Sequence, residues 1–147
     1  IGYAQSNRER YEGFCQALMD AGKTPNPSLC LTTPLGIDSY REEIDSFLSS
    51  LSRMPDAFVC ASDYVACILM QLLEKRGLRV PEDVAVSGFD NNIEDLLAEN
   101  LTTVQVFNEE LGSRLALQIL YRIKYPHTPH EVTYLESKVL YRASTGD

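Results

Sequence analysis

Apolar residues recur at helical spacing in several stretches of the chain. Tyr11, Phe14, Cys15, Leu18 and Met19 predict a helix from Asn7 to Ala21, closed by Gly22. Tyr40, Ile44, Phe47, Leu48 and Leu51 form the apolar face of a second, which starts at Asp38 or Ser39 and is broken by Pro55. After a start at Ser62–Asp63, the positions from Val65 to Leu73 are apolar almost all round, so this helix is buried on more than one side. Either it is sandwiched within one subunit, or it packs between subunits. Leu111, Leu115, Ile119, Leu120 and Ile123 give the core face of a further helix capped by Asn108, with Glu109 and Glu110 where the macrodipole favours acids.

Between these lie short apolar or β-branched runs that read as strands: Ile1–Ala4, Leu29–Leu31, Ala57–Ala61, Val84–Val86, Leu101–Val106, Glu131–Leu135 and Lys138–Tyr141. A turn is expected from Thr32 to Gly36, a short irregular or helical piece from Ile93 to Ala98, and a proline-containing loop from Tyr125 to His130. Strands alternate with helices as far as Val86, which predicts an α/β fold with a mostly parallel sheet and right-handed crossovers. A domain that opens in the middle of its first strand is expected to belong to something longer.

The most informative stretch runs from Val80 to Asn91. Pro81 makes a turn after a helix that stops at Gly77, and Val84–Val86 suits a strand buried on both faces. Gly88 lets the backbone leave that strand tightly. Asp90 then falls just past the strand's carboxyl end, where open α/β sheets bind ligands. Its carboxylate can accept hydrogen bonds from two hydroxyls of a small polar ligand, or it can simply cap the following turn.

Composition narrows the function. The 147 residues suffice for one domain with a core, and the net charge of −8 argues against nucleic-acid binding by this chain's own surface. No run is long enough to cross a bilayer. Cys15, Cys30, Cys60 and Cys67 include no C-x-x-C pair, which reads as reduced, buried thiols in a cytoplasmic protein, although their even number leaves disulfides open. There is no glycine-rich phosphate loop and no G-x-S-x-G elbow. His127 and His130, the only histidines, sit in the proline loop as solvated side chains rather than a metal site. The ligand edge therefore lacks the commonest general base, and the reading is of a binding module with no cofactor and no metal, not an enzyme.

Ser6, Arg10, Ser62, Asp63 and Asp90 all fall at or just beyond the carboxyl ends of expected strands. Arg10 supplies a fork of donors and Asp90 supplies acceptors, a set suited to a polyhydroxylated ligand such as a sugar. The plainer alternative pairs Arg10 structurally with Asp90 or Glu12.

The strings VPEDVAVSGFDN, NLTTVQVFNEELGSRLALQIL and RAST together resemble the effector-binding region of LacI-family transcriptional repressors. NRERYEGFCQALMDAG, with Ser6 before it, resembles the family's S-x-x-x-R-x-x-G-F pattern, and the segment around Ala61–Asp63 resembles its A-x-N-D-x-x-A-x-G pattern. The resemblance covers essentially the whole chain. It implies a parallel-sheet, Rossmann-like subdomain of periplasmic-binding-protein type I, with helices on both faces. Residues 1–106 would form the carboxy-terminal effector-binding subdomain, 107–137 would belong to the amino-terminal subdomain, and 138–147 would return to the first.

By the same resemblance Ser6, Arg10, Ser62, Asp63 and Asp90 contact a small effector. The helix from Asp63 and the segment from Asn92 to Glu99 would meet their counterparts in a homodimer, through Val65, Leu69, Leu72, Leu73 and Leu96. Operator DNA would be contacted only through a headpiece outside this chain. Several positions depart from the family pattern. Ser62 replaces a usual asparagine, Asn100 a frequent proline and Val106 a frequent glutamine, and Cys67–Ile68 stands for Leu-Gly. Pro34 stands where an aromatic platform often stacks on the ligand, which would remove roughly 0.5–1.5 kcal/mol of stacking. The alternative function is a solute-binding protein of a sugar ABC transporter, which shares the fold.

Overall fold

The first helix, α1 (Gln5–Asp20), follows the expected spacing, and Gly22 ends it in the left-handed region at φ +70°. The computed structural model describes residues 5–32, 39–92 and 96–146. The expected opening strand Ile1–Ala4, most of the Thr32–Gly36 turn with Pro34, the alternative helix start at Asp38, and Ile93 lie outside the described residues.

Residues 29–31 do not form the expected strand. Pro27 lacks an N–H, and the Asn26 side chain accepts from the Ser28 amide, so the chain turns into a short 3-10 helix, Pro27–Leu29, that takes Leu29 with it. Helix α2 (Tyr40–Ser50) buries Ile44 and Leu48. Strand β1 (Ala57–Val59) leads into α3 (Asp63–Lys75), and β2 (Ala85–Ser87) follows after a left-handed Gly77 at φ +73°. A single turn, α4 (Leu96–Glu99), precedes β3 (Thr103–Gln105). The long α5 (Asn108–Lys124) and β4 (Lys138–Leu140) complete the chain.

β1 and β2 pair in parallel, with Phe58 opposite Val86. Parallel bridges at Ser87–Thr102 and Asp90–Gln105 carry the sheet on to β3, and β4 pairs antiparallel with β3. β1, which the sequence reads as a buried strand, is partly uncovered: among the described residues it pairs with β2 alone, and Val59 is 63% exposed. The core lies between α2, α3 and the strands, with Leu73, Val84, Val86 and Leu101 almost fully enclosed. Leu69, Leu72 and Leu73 are part of it. Burial within one chain leaves these three of the residues expected at a dimer interface little area for a partner.

The last third of the chain departs furthest from the expected core. α5 begins at Asn108 itself, without a side-chain cap, and buries no residue. Leu111, Leu115, Ile119, Leu120 and Ile123 are exposed among the described residues. Glu131–Leu135 forms no strand, since no described strand lies beside it to supply ladder partners.

One contact fixes how α3 meets the strands. A Cβ on Gly88 would lie 2.2 Å from Asp63 Oδ1, 2.9 Å from Leu101 Cδ2 and 3.1 Å from the Asp63 Cα. Gly88 is thus required by close approach rather than by a left-handed backbone, and Gly88→Ala is expected to lower stability by at least about 2 kcal/mol in urea unfolding. Burial pushes the Cys60 thiol up to about 12, and Cys67 is buried beside it, whereas Cys15 and Cys30 are only half-buried. A disulfide reagent such as Ellman's is expected to modify Cys15 and Cys30 in the folded protein, and Cys60 and Cys67 only on unfolding.

Candidate functional site

The carboxyl ends of β1 and β2 place Ala61 and Asp90 side by side, and the second turn of α1 brings Arg10 across both. Arg10 Nη1 donates to the Ala61 carbonyl at 2.5 Å, and Nη2 donates to Asp90 Oδ1 at 3.1 Å. The guanidinium carbon sits 3.7 Å from the centre of the Phe89 ring, a cation–π arrangement that holds the fork flat against the strand end. Both charged side chains stay about a quarter exposed. The pairing that the sequence offered as the plainer alternative is therefore present, and it sits in solvent reach at the sheet's ligand edge.

Asp90 and Asn91 both carry positive φ, at +111° and +51°, which is costly for residues with a Cβ. Neighbouring bonds hold them there. Asp90 N donates to Val104 O at 3.0 Å, and Val106 N donates back to Asp90 O at 3.4 Å. Asn91 N donates to Asp63 Oδ2 at 2.7 Å. Burial pushes the Asp90 carboxyl above its ordinary value of 3.8; the Arg10 guanidinium pulls it back, and the nearby Asp63 carboxylate adds to the rise. Burial outweighs the arginine, so the site holds its negative charge under tension.

Asp63, one of the expected ligand contacts, faces inward. It is 1% exposed, and both its oxygens are taken: Oδ1 accepts from Thr103 Oγ1 at 2.6 Å and Oδ2 from the Asn91 amide. It is a clamp beneath the site. Ser62 caps α3, its hydroxyl accepting from Val65 N at 3.4 Å, and is half-buried at the rim. Ser6 lies one turn before Arg10 and is exposed.

Four further residues at this edge, Phe89, Asn91, Gln105 and Arg142, escape a reading of the sequence. Asn91 Nδ2 donates to Gln105 Oε1 at 2.6 Å, and Arg142 Nη2 donates to Asn91 Oδ1 at 2.8 Å. Arg142 lies 51 positions from Asn91, beyond the reach of any local pattern. Past Gln105, residues 105–110 and Ser113 line an open hollow of about 520 Å³. Among the described residues no group of metal-ligating side chains gathers, and no helix is long and apolar enough to cross a membrane.

The edge thus presents an arginine fork and an acceptor carboxylate within reach of solvent. Residues 2–145 match the periplasmic binding protein-like domain. The HTH-type transcriptional repressor PurR of Photobacterium profundum is 28% identical over 95% of this chain and 42% of its own length. DegA, an HTH-type transcriptional regulator of Bacillus subtilis, is 34% identical over 76% of this chain and 33% of its own. The chain thus spans less than half the length of these curated relatives, which are transcriptional regulators.

Among solved structures, a LacI-family regulator from Sanguibacter keddieii superposes with a TM-score of 0.82 at 30% identity, covering 94% of this chain and 52% of that one. The regulator CelR, in complex with cellobiose, gives a TM-score of 0.80 at 30% identity over 92% of this chain and 42% of that one. A LacI-family regulator of Enterococcus faecium with bound ribose gives 0.76 at 28% identity over 95% and 51%. The chain belongs to the periplasmic binding protein-like domain family and is similar in sequence and fold to LacI-family transcriptional regulators.

Proposed function

We propose that this chain is the effector-sensing and dimerisation part of a DNA-binding transcriptional regulator, and that Arg10 and Asp90 hold a small polyhydroxylated effector. The observation that carries this reading is the Arg10–Asp90 pair, 3.1 Å apart and solvent-accessible at the carboxyl ends of the sheet. Vicinal hydroxyls can slip between such partners, accepting from the guanidinium and donating to the carboxylate. Ser6 and Ser62 supply hydroxyls at the rim. The neighbours solved with cellobiose and ribose support a sugar as the ligand class.

In the whole protein, residues 107–137 belong to a second subdomain that completes the cleft; the uncovered apolar face of α5 supports this. Effector closure of that cleft alters operator affinity, a coupling of typically about 1–3 kcal/mol. The regulator works as a homodimer, with half-buried Val65 on α3 and the α4 turn that opens at Leu96 toward the two-fold axis. Operator DNA is met only by an amino-terminal headpiece outside this chain, whose own net charge is −8. Cysteines that form no disulfide among the described residues suit the cytoplasm.

A thermal-shift screen of the full-length protein against sugars, sugar phosphates and nucleobases tests the site. A ligand at a hundred times its Kd is expected to stabilise by about 2.7 kcal/mol, and Asp90→Asn is expected to abolish that shift while remaining folded. An undiminished shift in the variant would remove Asp90 from the site. The pH dependence has two opposite signs. Because the Asp90 carboxyl is raised above 3.8, the folded chain binds more protons than the unfolded one between 3.8 and the raised value. Folding stability from this group therefore falls as pH rises through that window, a slope that Asp90→Asn removes. Effector binding needs the carboxylate and weakens as pH falls through the same window, which titration calorimetry across pH will show.

A further inference from the structure

The strained pair Asp90–Asn91 is the only place among the described residues where non-glycine backbone takes positive φ. The Asp63 bond to the Asn91 amide holds the backbone, but a second set of contacts holds the Asn91 side chain. Its Nδ2 donates to Gln105 Oε1, and its Oδ1 accepts from Arg142 Nη2. Arg142 is fixed in turn, because Nη1 donates to the Ala98 and Leu101 carbonyls, each at 3.0 Å. Gln105 is fixed by its Nε2, which donates to the Val106 carbonyl at 2.9 Å. Val106 is the residue whose amide bonds back to Asp90 O, and it begins the crossover into α5. The amide of Asn91 thus joins a rigid anchor on one side to the crossover on the other.

We propose that Asn91, Gln105 and Arg142 are positioning residues that aim the Asp90 carboxylate at Arg10 and tie it to the crossover at Val106–Phe107. The bonding inventory supports a placing role rather than a general stabilising one. The carboxamide has one donor and one acceptor engaged on two different elements, which fixes its plane and so restrains the backbone position of the residue that follows Asp90. A shift of the crossover on effector closure would act on Gln105 and then on Asp90 through a single side chain. The functional meaning of the arrangement rests on Asp90 being an effector contact, as proposed above; the geometry itself does not.

The test reads Asp90 directly, without any ligand. The protein is labelled with 13C-aspartate, and the Asp90 side-chain carboxyl is titrated by NMR in wild type, Asn91→Ala, Gln105→Leu and Arg142→Met. Burial is the largest influence holding Asp90 above 3.8, so release of the turn into solvent is expected to move its midpoint down toward 3.8 in all three variants. Loss of the Arg142 charge alone would move it up, which separates positioning from simple electrostatics. Ser144→Ala is the control. It removes a hydroxyl that donates to Val86 O at 2.7 Å and accepts from Thr102 N at 2.8 Å, loosening the same terminal segment without touching Asn91.

Asp90 is expected to stay put in that control. Arg142→Lys, which keeps a donor for Asn91, is expected to restore part of the shift. An unmoved Asp90 in folded Gln105→Leu overturns the proposal, and so does an equal displacement in Ser144→Ala. If Arg142→Met fails to fold, Gln105→Leu decides. Failure of the effector reading would show separately, as ligand shifts retained in Asp90→Asn, and would leave these titrations unchanged.

Discussion

The Asp63 carboxylate, buried beneath Gly88, is the constraint on which the ligand edge depends. A carboxylate taken out of water is costly unless its oxygens are bonded. Here both are: one to the Thr103 hydroxyl on β3 and one to the amide of Asn91. The same residue opens α3, where the helix dipole favours a negative group, and its own amide donates to Phe89 O at 2.8 Å. One side chain therefore fastens a helix, a strand and a turn at a single point. That point is reachable only because position 88 carries no Cβ.

Above this clamp the functional groups can be held in conformations they would not choose. Asp90 sits at φ +111° and is partly desolvated, while Arg10 is spread over Phe89 and pinned to Ala61 O. Strain and desolvation of this kind persist only where the surroundings over-determine the geometry. The partners of Asp90 and Asn91 come from α1, α3, β3 and Arg142, so no single element decides their position. The pair is also preorganised, so that the proposed ligand would meet donors and acceptors already in place and lose less to ordering them.

Much of this was legible in the sequence. The periodicity of α1 and α2, the buried run of α3 and the Val84–Val86 strand gave the α/β order, because each reflects a local choice between helix and strand spacing. Arg10 and Asp90 could be placed at strand ends by the same count. What the sequence hid was non-local. Asp63 looks like a ligand contact because it follows a strand, and only the approach of Gly88 and Thr103 shows that it points inward. Leu69, Leu72 and Leu73 satisfy an interface pattern and a core pattern equally, and burial separates the two. On α5 the pattern promised a core, yet amphipathicity states only that a helix has an apolar face, not that the cover lies within the described residues.

The terminal segment shows why such long-range terms matter. β2 and β3 are joined by isolated bridges rather than a continuous ladder, which would leave strand groups at Val86 and Thr102 without partners. The Ser144 hydroxyl fills that gap, donating to one and accepting from the other, and is 2% exposed. Thr102 Oγ1 meanwhile accepts from Arg142 N at 2.8 Å. A short turn from the far end of the chain thus acts as part of the sheet, and Arg142, two residues away, extends the same hold to the strained Asn91. The edge that carries Asp90 is therefore framed by residues 138–146 as much as by the strand that bears it, so the α5 excursion must fold back before that edge is complete.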